Sequence, residues 1–161
     1  MGDRKAFWAD GPFPLIPTPA QQPAEGQQSD VFVDTASEMA CVHNTIIRGL
    51  NAVYNQAPHV HPQDKKSFLH FAQTMLVYTD VHYRGEETMF FPAVEAMAGE
   101  EDIMAANVEQ HEAFHDGLHA MEAYLEACLN DVDTYDGDKV VTLIDGFGNT
   151  LCEHLADEIP R

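Results

Sequence analysis

The stretch His82-Tyr83-Arg84-Gly85-Glu86-Glu87-Thr88-Met89-Phe90-Phe91-Pro92 sets an imidazole and a carboxylate four residues apart. Positions i and i+4 share one face of an α-helix, so His82 and Glu86 project in the same direction, one turn apart. The same spacing recurs in His111-Glu112-Ala113-Phe114-His115 and in His154-Leu155-Ala156-Asp157-Glu158, while His43 stands alone on an earlier apolar stripe. Three ligand pairs on three successive helices, with one imidazole on the remaining helix, are what a metal site inside a helix bundle requires. Imidazole combined with carboxylate suits iron or manganese.

Working outward, apolar periodicity predicts four helices. Helix 1 is expected from an N-cap near Asp34, with Met39, His43, Ile46, Ile47, Leu50 and Val53 on one face. Helix 2 is expected from about Gln63 to Phe90, stopped by Pro92, with Phe68, Phe71, Met75, Tyr78, His82, Glu86 and Phe90 inward. Helix 3, about Glu101 to Leu129, carries Met104, Val108, His111, His115, Leu118 and Leu125 inward. Helix 4 follows the acidic turn ending at Gly137 and carries Val140, Leu143, Ile144, Phe147, Leu151, His154 and Glu158. Short links make an all-α, up-down-up-down four-helix bundle the expected fold over residues 31–161. Residues 1–30 hold Pro12, Pro14, Pro17, Pro19 and Pro23 and cannot be helical. With Phe7, Trp8, Phe13, Leu15 and Ile16, they are expected to lie across the bundle as an extended Pro-rich N-terminal arm.

Counting 1.5 Å per residue, the ligands on helices 2, 3 and 4 fall at matching heights. Helices 1 and 2 match less well, by about 10 Å, which makes His43 the least favourably placed imidazole.

The chain has 161 residues and a net charge of −19, from 27 acidic and 8 basic side chains. Such a surface repels nucleic acid and anionic membranes, so neither is an expected partner. The three cysteines are odd in number and lack metal-finger spacing, which fits reduced thiols. With no apolar run of membrane length and no signal-peptide core, a cytoplasmic protein is expected.

Ligand counting then suggests a chemistry. If Glu86 and Glu158 each bridge two irons and His43, His82, His111, His115 and His154 bind terminally, a solvent-derived oxo or hydroxo bridge leaves one position open. Dioxygen, peroxide or nitric oxide would bind there, shielded by Phe114, Leu118, Ile47 and Leu151. Manganese or zinc are possible substitutes for the two iron ions (Fe2+/Fe3+). Tyr78, one turn before His82, and His119, one turn after His115, are candidates for a supporting role around the ligands.

The three quoted stretches resemble the hemerythrin-like, His-His-Glu cation-binding family, over about residues 30 to 161. The resemblance implies a four-helix bundle with a non-haem di-iron centre. Family members carry or sense oxygen, respond to nitric oxide or peroxide, or act as oxidoreductases. This chain differs from the oxygen carriers, which place an Asp five residues after the last His. Here Glu158 follows His154 by four, with Asp157 as the other candidate for the second bridge.

Three functions therefore stand open. The chain is a carrier or sensor of dioxygen or a related small ligand, a di-iron oxygenase, oxidase or peroxidase acting on an organic substrate, or an iron buffer or store. His111-Glu112-Ala113-Phe114-His115 also matches the H-E-x-x-H zinc-protease motif, but that chemistry needs a sheet and an open cleft. His59 and His61 sit in a Pro-containing loop and read as solvated, and His70 reads as remote from the ligand layer.

Overall fold

The computed structural model describes residues 9–19 and 30–159. Phe7, Trp8 and the Gln-rich stretch 21–29, expected to belong to the arm, lie outside the described residues. The first helix, α1 (Val31–Gln56), starts on Asp30, whose carboxylate accepts from the Phe32 N–H at 3.0 Å. Asp34, the expected cap, sits one turn inside, where a negative charge still favours the helix N-terminus. Two 3₁₀ turns, Ala57–His59 and Pro62–Asp64, lead into α2 (Lys65–Gly85).

Pro92 does not stop the second helix. A π-helical turn, Glu86–Phe90, follows α2 and runs directly into α3 (Phe91–Ala98), where Pro92 occupies the first turn. There the fixed φ of proline already suits a helix. The helix ends instead at Gly99, in the left-handed conformation (φ 71°), with its N–H on the Glu95 carbonyl. The next long helix, α4 (Ala105–Leu129), begins four residues later than expected.

The last helix is broken. α5 (Gly137–Asp145) and α6 (Gly148–Asp157) are separated at Gly146-Phe147. Phe147 is 1% exposed and seats its Cβ against Gly117 of α4, where an added methyl would lie 2.6 Å away. The Phe13 ring comes equally close to Gly148. Bulky rings on both sides of the break thus require small residues opposite them.

Among the described residues the regular structure is entirely helical. Contacts run from α1 to α2, from α2 to α4, from α4 to α6 and from α6 back to α1. The shared core includes Ile46, Ile47, Leu76, Phe114, Leu125, Ile144 and Leu155.

The buried face of α2 carries Phe68, Leu69, Ala72, Leu76, Thr79 and Tyr83. Phe71, Tyr78 and Phe90, expected inward, are exposed, as is Val108 on α4. A stripe drawn through His82 misses this face, because His82 sits at its edge rather than at its centre.

Residues 9–19 are tied to α1 by two asparagines, neither of which stood out in the sequence. Asn51 Nδ2 donates to the Ala9 and Phe13 carbonyls, and its Oδ1 accepts from the Phe13 N–H at 2.9 Å. Two turns earlier, Asn44 makes the same pair of bonds to the Ile16 N–H and carbonyl. Phe13 and Ile16 are consequently buried. Asn51→Ala is expected to lower stability by about 2–4 kcal/mol, because it leaves buried backbone groups unpaired. Urea denaturation measures this, and a loss below about 0.5 kcal/mol would show that the segment contributes nothing.

Candidate metal centre

Six of the seven candidate ligands converge. His43 comes from α1, His82 from the end of α2, Glu86 from the π turn, His111 from α4, His154 from α6 and Glu158 from the residue that caps it. They form two groups whose ligand atoms all lie within 4.8 Å of one another: His43, His82, Glu86 and Glu158, and Glu86, His111, His154 and Glu158. Both carboxylates belong to both groups.

Glu86 Oε1 lies 3.0 Å from His82 Nε2 and 3.9 Å from His43 Nε2, and its Oε2 is 3.5 Å from His111 Nε2. Glu158 Oε2 lies 3.5 Å from His43 Nε2 and 3.7 Å from His154 Nε2. The π turn assists this arrangement. Residues five apart on an α-helix point about 140° apart. Here the Phe91 N–H closes on the Glu86 carbonyl, and both side chains are buried. Phe91 then stacks on His111, with ring centroids 5.6 Å apart. Such turns recur at functional sites.

The imidazoles are aimed by partners on their other nitrogen. His43 Nδ1 donates to the Leu155 carbonyl at 2.7 Å, His111 Nδ1 to Glu87 at 2.8 Å and His154 Nδ1 to Gln110 at 3.0 Å. Asn107 donates to Glu158 Oε1 at 3.3 Å. Such partners fix ring orientation and raise ligand basicity. Glu87, Asn107 and Gln110 were missed in the sequence. The double Glu of the quoted stretch, and the amides four residues and one residue before His111, were the available signals.

With Nδ1 donating, the neutral rings turn bare Nε2 lone pairs inward. His111 Nε2 and His154 Nε2 face each other at 2.9 Å, which is repulsive unless a proton or a metal cation lies between or beside them. His43 Nε2, His82 Nε2, both Glu86 oxygens and Glu158 Oε2 are buried and make no hydrogen bond. Buried polar atoms left unpaired are costly. Five of them converging on one spot, each a metal-ligand type, fit a pair of cations.

His43, expected to be the least favourably placed, is fully buried and shared between the two carboxylates. The expected mismatch in height does not keep His43 away, and two 3₁₀ turns connect α1 to α2. Asp157 is exposed and accepts from Gln110 at 3.4 Å, so Glu158 alone of the two faces the cluster.

His115 is placed outside both groups: its side chain is 45% exposed and its Nε2 meets His119 Nε2 at 3.0 Å. Four residues advance about 40° around a helix, and that rotation carries His115 toward solvent. The buried ring of Tyr83 contacts both His111 and His115. Tyr83, rather than the expected Tyr78, thus stands beside the cluster, and its hydroxyl donates to Asp80 at 2.8 Å. His119 touches His115 rather than a residue of the cluster.

Electrostatics inside the cluster are uneven. Burial pushes the Glu158 carboxyl up to about 7, and the neighbouring Glu86 charge adds to it. Burial also works against the Glu86 anion, but His111, His43 and His82 outweigh it and hold this carboxyl well below the ordinary range. His154 is pulled down to about 3 by burial and by His111. Burial opposes a proton on His111 too, yet Glu86 and Glu87 outweigh it and raise this imidazole above its usual value.

A family model described as the hemerythrin HHE cation binding domain matches residues 35–159. The chain belongs to this family. Its His/Glu cluster is accordingly that of a metal-binding helical domain. The chain is also similar to a protein called "Dimeric xanthone biosynthesis cluster protein R11" from Cryptosporiopsis sp. (strain 8999). The two are 37% identical over 155 residues, which cover 95% of this chain and 58% of the relative. The chain therefore spans little more than half of that protein. No solved structure matches it. Among the described residues, no helix is long and apolar enough to cross a membrane.

Proposed function

We propose that this chain is a non-haem di-iron protein that binds or reacts with dioxygen, or with a related small ligand such as peroxide or nitric oxide. The helices are read as an up-down-up-down four-helix bundle, with residues 9–19 bonded along α1. One observation carries the proposal: two groups of His and Glu ligands share both carboxylates in a buried core. His43 and His82 would hold one metal and His111 and His154 the other, with Glu86 and Glu158 within reach of both. Iron in this setting supplies the electrons with which a small oxidant is bound or reduced. Phe114, Ile47 and Leu151 are almost fully buried and exclude bulk water. Glu158, raised to about 7 in the metal-free chain, would have to release its proton to serve as a ligand, which would couple metal binding to proton release.

A second reading is an oxidoreductase acting on an organic substrate. The relative's name, which places that protein in a biosynthesis cluster, favours it. So does an open groove of about 390 Å³ that reaches the cluster's edge at Glu87 and Phe91.

Metal analysis of anaerobically loaded protein is expected to find about two irons per chain. Air should then produce a charge-transfer band of the oxidised pair. A band that reverses on removing oxygen supports carriage or sensing, and irreversible oxidation supports catalysis. A single tightly held zinc would overturn the di-iron reading.

A further inference from the structure

We propose that the solvent-facing side of α2 is a self-association surface, on which a second copy of this chain docks antiparallel through the seam Phe71, Thr74, Tyr78 and Val81. These positions step by three, four and three residues, the a and d spacing of a coiled coil, so they form one stripe along the helix. The opposite side of α2 is buried in the chain's own core through Phe68, Leu69, Ala72, Leu76, Thr79 and Tyr83. The helix therefore carries two stripes, and this fold covers one of them. In the other, Phe71 is 42% exposed, Tyr78 39% and Val81 64%, with Val77 beside them at 49%. Large apolar side chains left in water side by side mark an interaction site, whereas isolated ones do not.

Charge selects the occupant. Residues 39–85, which hold most of α1 and all of α2, contain two carboxylates, Asp64 and Asp80, against the four cations Arg48, Lys65, Lys66 and Arg84. Residues 86–158 contain nineteen carboxylates and the single cation Lys139. Along α4 the exposed side chains include Glu109, Glu112, Asp116 and Glu126. Within α2 the one carboxylate is Asp80, and Arg84 pairs with it at 2.9 Å. A net charge of −19 keeps two copies apart wherever acidic surfaces would meet. Docking α2 on α2 turns both acidic sides outward and brings together the two surfaces that carry no unpaired negative charge on the seam helix.

The register follows from the spacing. Antiparallel helices set a positions opposite d positions, so Phe71 meets the partner's Val81 and Tyr78 meets the partner's Thr74. A two-fold axis repeats both layers, and the contact closes as a dimer rather than growing into a chain of molecules. The seam spans about 15 Å of helix. So short a contact predicts a dimer weaker than those with a standard interface of about 800 Å² per partner.

Sedimentation velocity over a range of concentrations tests this on the full chain, with circular dichroism to verify folding. A species of twice the chain's mass is expected. Tyr78→Glu and Val81→Glu, both at exposed positions, should each weaken it by at least about 30-fold, the loss that marks an interface hot spot. Glu126→Gln, on the acidic side, should leave it unchanged. Raising salt from about 0.1 M to about 1 M, which shortens the screening length from about 10 Å to about 3 Å, should strengthen the dimer, since it removes repulsion between the acidic sides. Cys41 is exposed, so crosslinking uses a Cys41→Ser background. There a chain carrying Phe71→Cys should form a disulfide with one carrying Val81→Cys and far less with its own kind. A chain that stays monomeric at every concentration would overturn the proposal and leave the seam to a different protein or to a further segment of a longer chain. A dimer that survives both Glu variants, or one that salt dissociates, would overturn it by placing the contact elsewhere. Crosslinks mainly between like variants would overturn the antiparallel register.

Discussion

Glu86→Gln is expected to empty both metal positions. Glu86 uses separate oxygens, Oε1 toward His82 and His43 and Oε2 toward His111, so it reaches both halves of the cluster. The amide keeps the shape but lacks the anionic charge, and the other shared carboxylate, Glu158, meets the imidazoles through one oxygen only. Affinity should fall by more than about 100-fold, beyond the 10–100-fold that loss of an outer partner costs. Glu158→Gln should do less. Glu158 meets His43 and His154 through Oε2 alone, while Asn107 holds Oε1, and Glu86 still spans both halves. Asp157 cannot fill in, because it faces solvent with Gln110. Metal content per chain, measured beside circular dichroism to verify folding, ranks the two. If Glu158→Gln strips the chain while Glu86→Gln keeps both irons, the assignment of the shared carboxylates is reversed.

Removing the metals should lower the melting temperature substantially at neutral pH and much less in mild acid. Free metal at 100 times its Kd adds about 2.7 kcal/mol per site, or about 5 kcal/mol for two. At about 2–4 °C per kcal/mol for a chain of this size, the gap is ~10–20 °C. Acid closes it, because protons compete for the imidazoles and carboxylates that the metals need.

The metal-free chain has its own profile. His154 is depressed to about 3, so the unfolded chain takes up its proton first, and stability falls as pH drops from about 6.5 toward 3. Glu158 is raised to about 7, so the folded chain binds the extra proton between about 4.5 and 7, and stability rises as pH drops through that window. His111, raised, contributes fully below about 6.5 and loses that contribution as pH rises through its folded value. Between about 4.5 and 6.5 these effects oppose one another. Below about 4.5 Glu158 contributes no more, while Glu86, held low, begins to lose its stabilising charge, so His154 and Glu86 act together. Calorimetry of chelated protein should show little pH dependence near pH 5–6 and a steep loss below about 4.5. A metal-independent melting temperature at neutral pH would mean that the cluster is not a metal cage.

The candidate ligand pairs were legible in the sequence because helical spacing is local. His82 with Glu86, and His154 with Glu158, share a face by backbone geometry alone, whatever packs around them. His111 and His115 carry the same spacing, but tertiary structure separates them: the rotation of α4 buries the first, and the second is turned outward to His119. Spacing restricts two side chains to one face without stating where that face ends. Helix phase and length also escaped the sequence. The π turn at Glu86 and the break at Phe147 depend on distant neighbours, His111 against Phe91 and Gly117 against Phe147. The aiming of the imidazoles likewise rests on Leu155, Glu87 and Gln110, which come from other helices or other turns. The sequence by itself determined a helical chain with His/Glu pairs at ligand spacing, because periodicity is written in the chain. Tertiary structure alone decided which carboxylates lie in both groups, which imidazole lies outside them and how each ring is turned, because those depend on contacts between residues far apart in sequence.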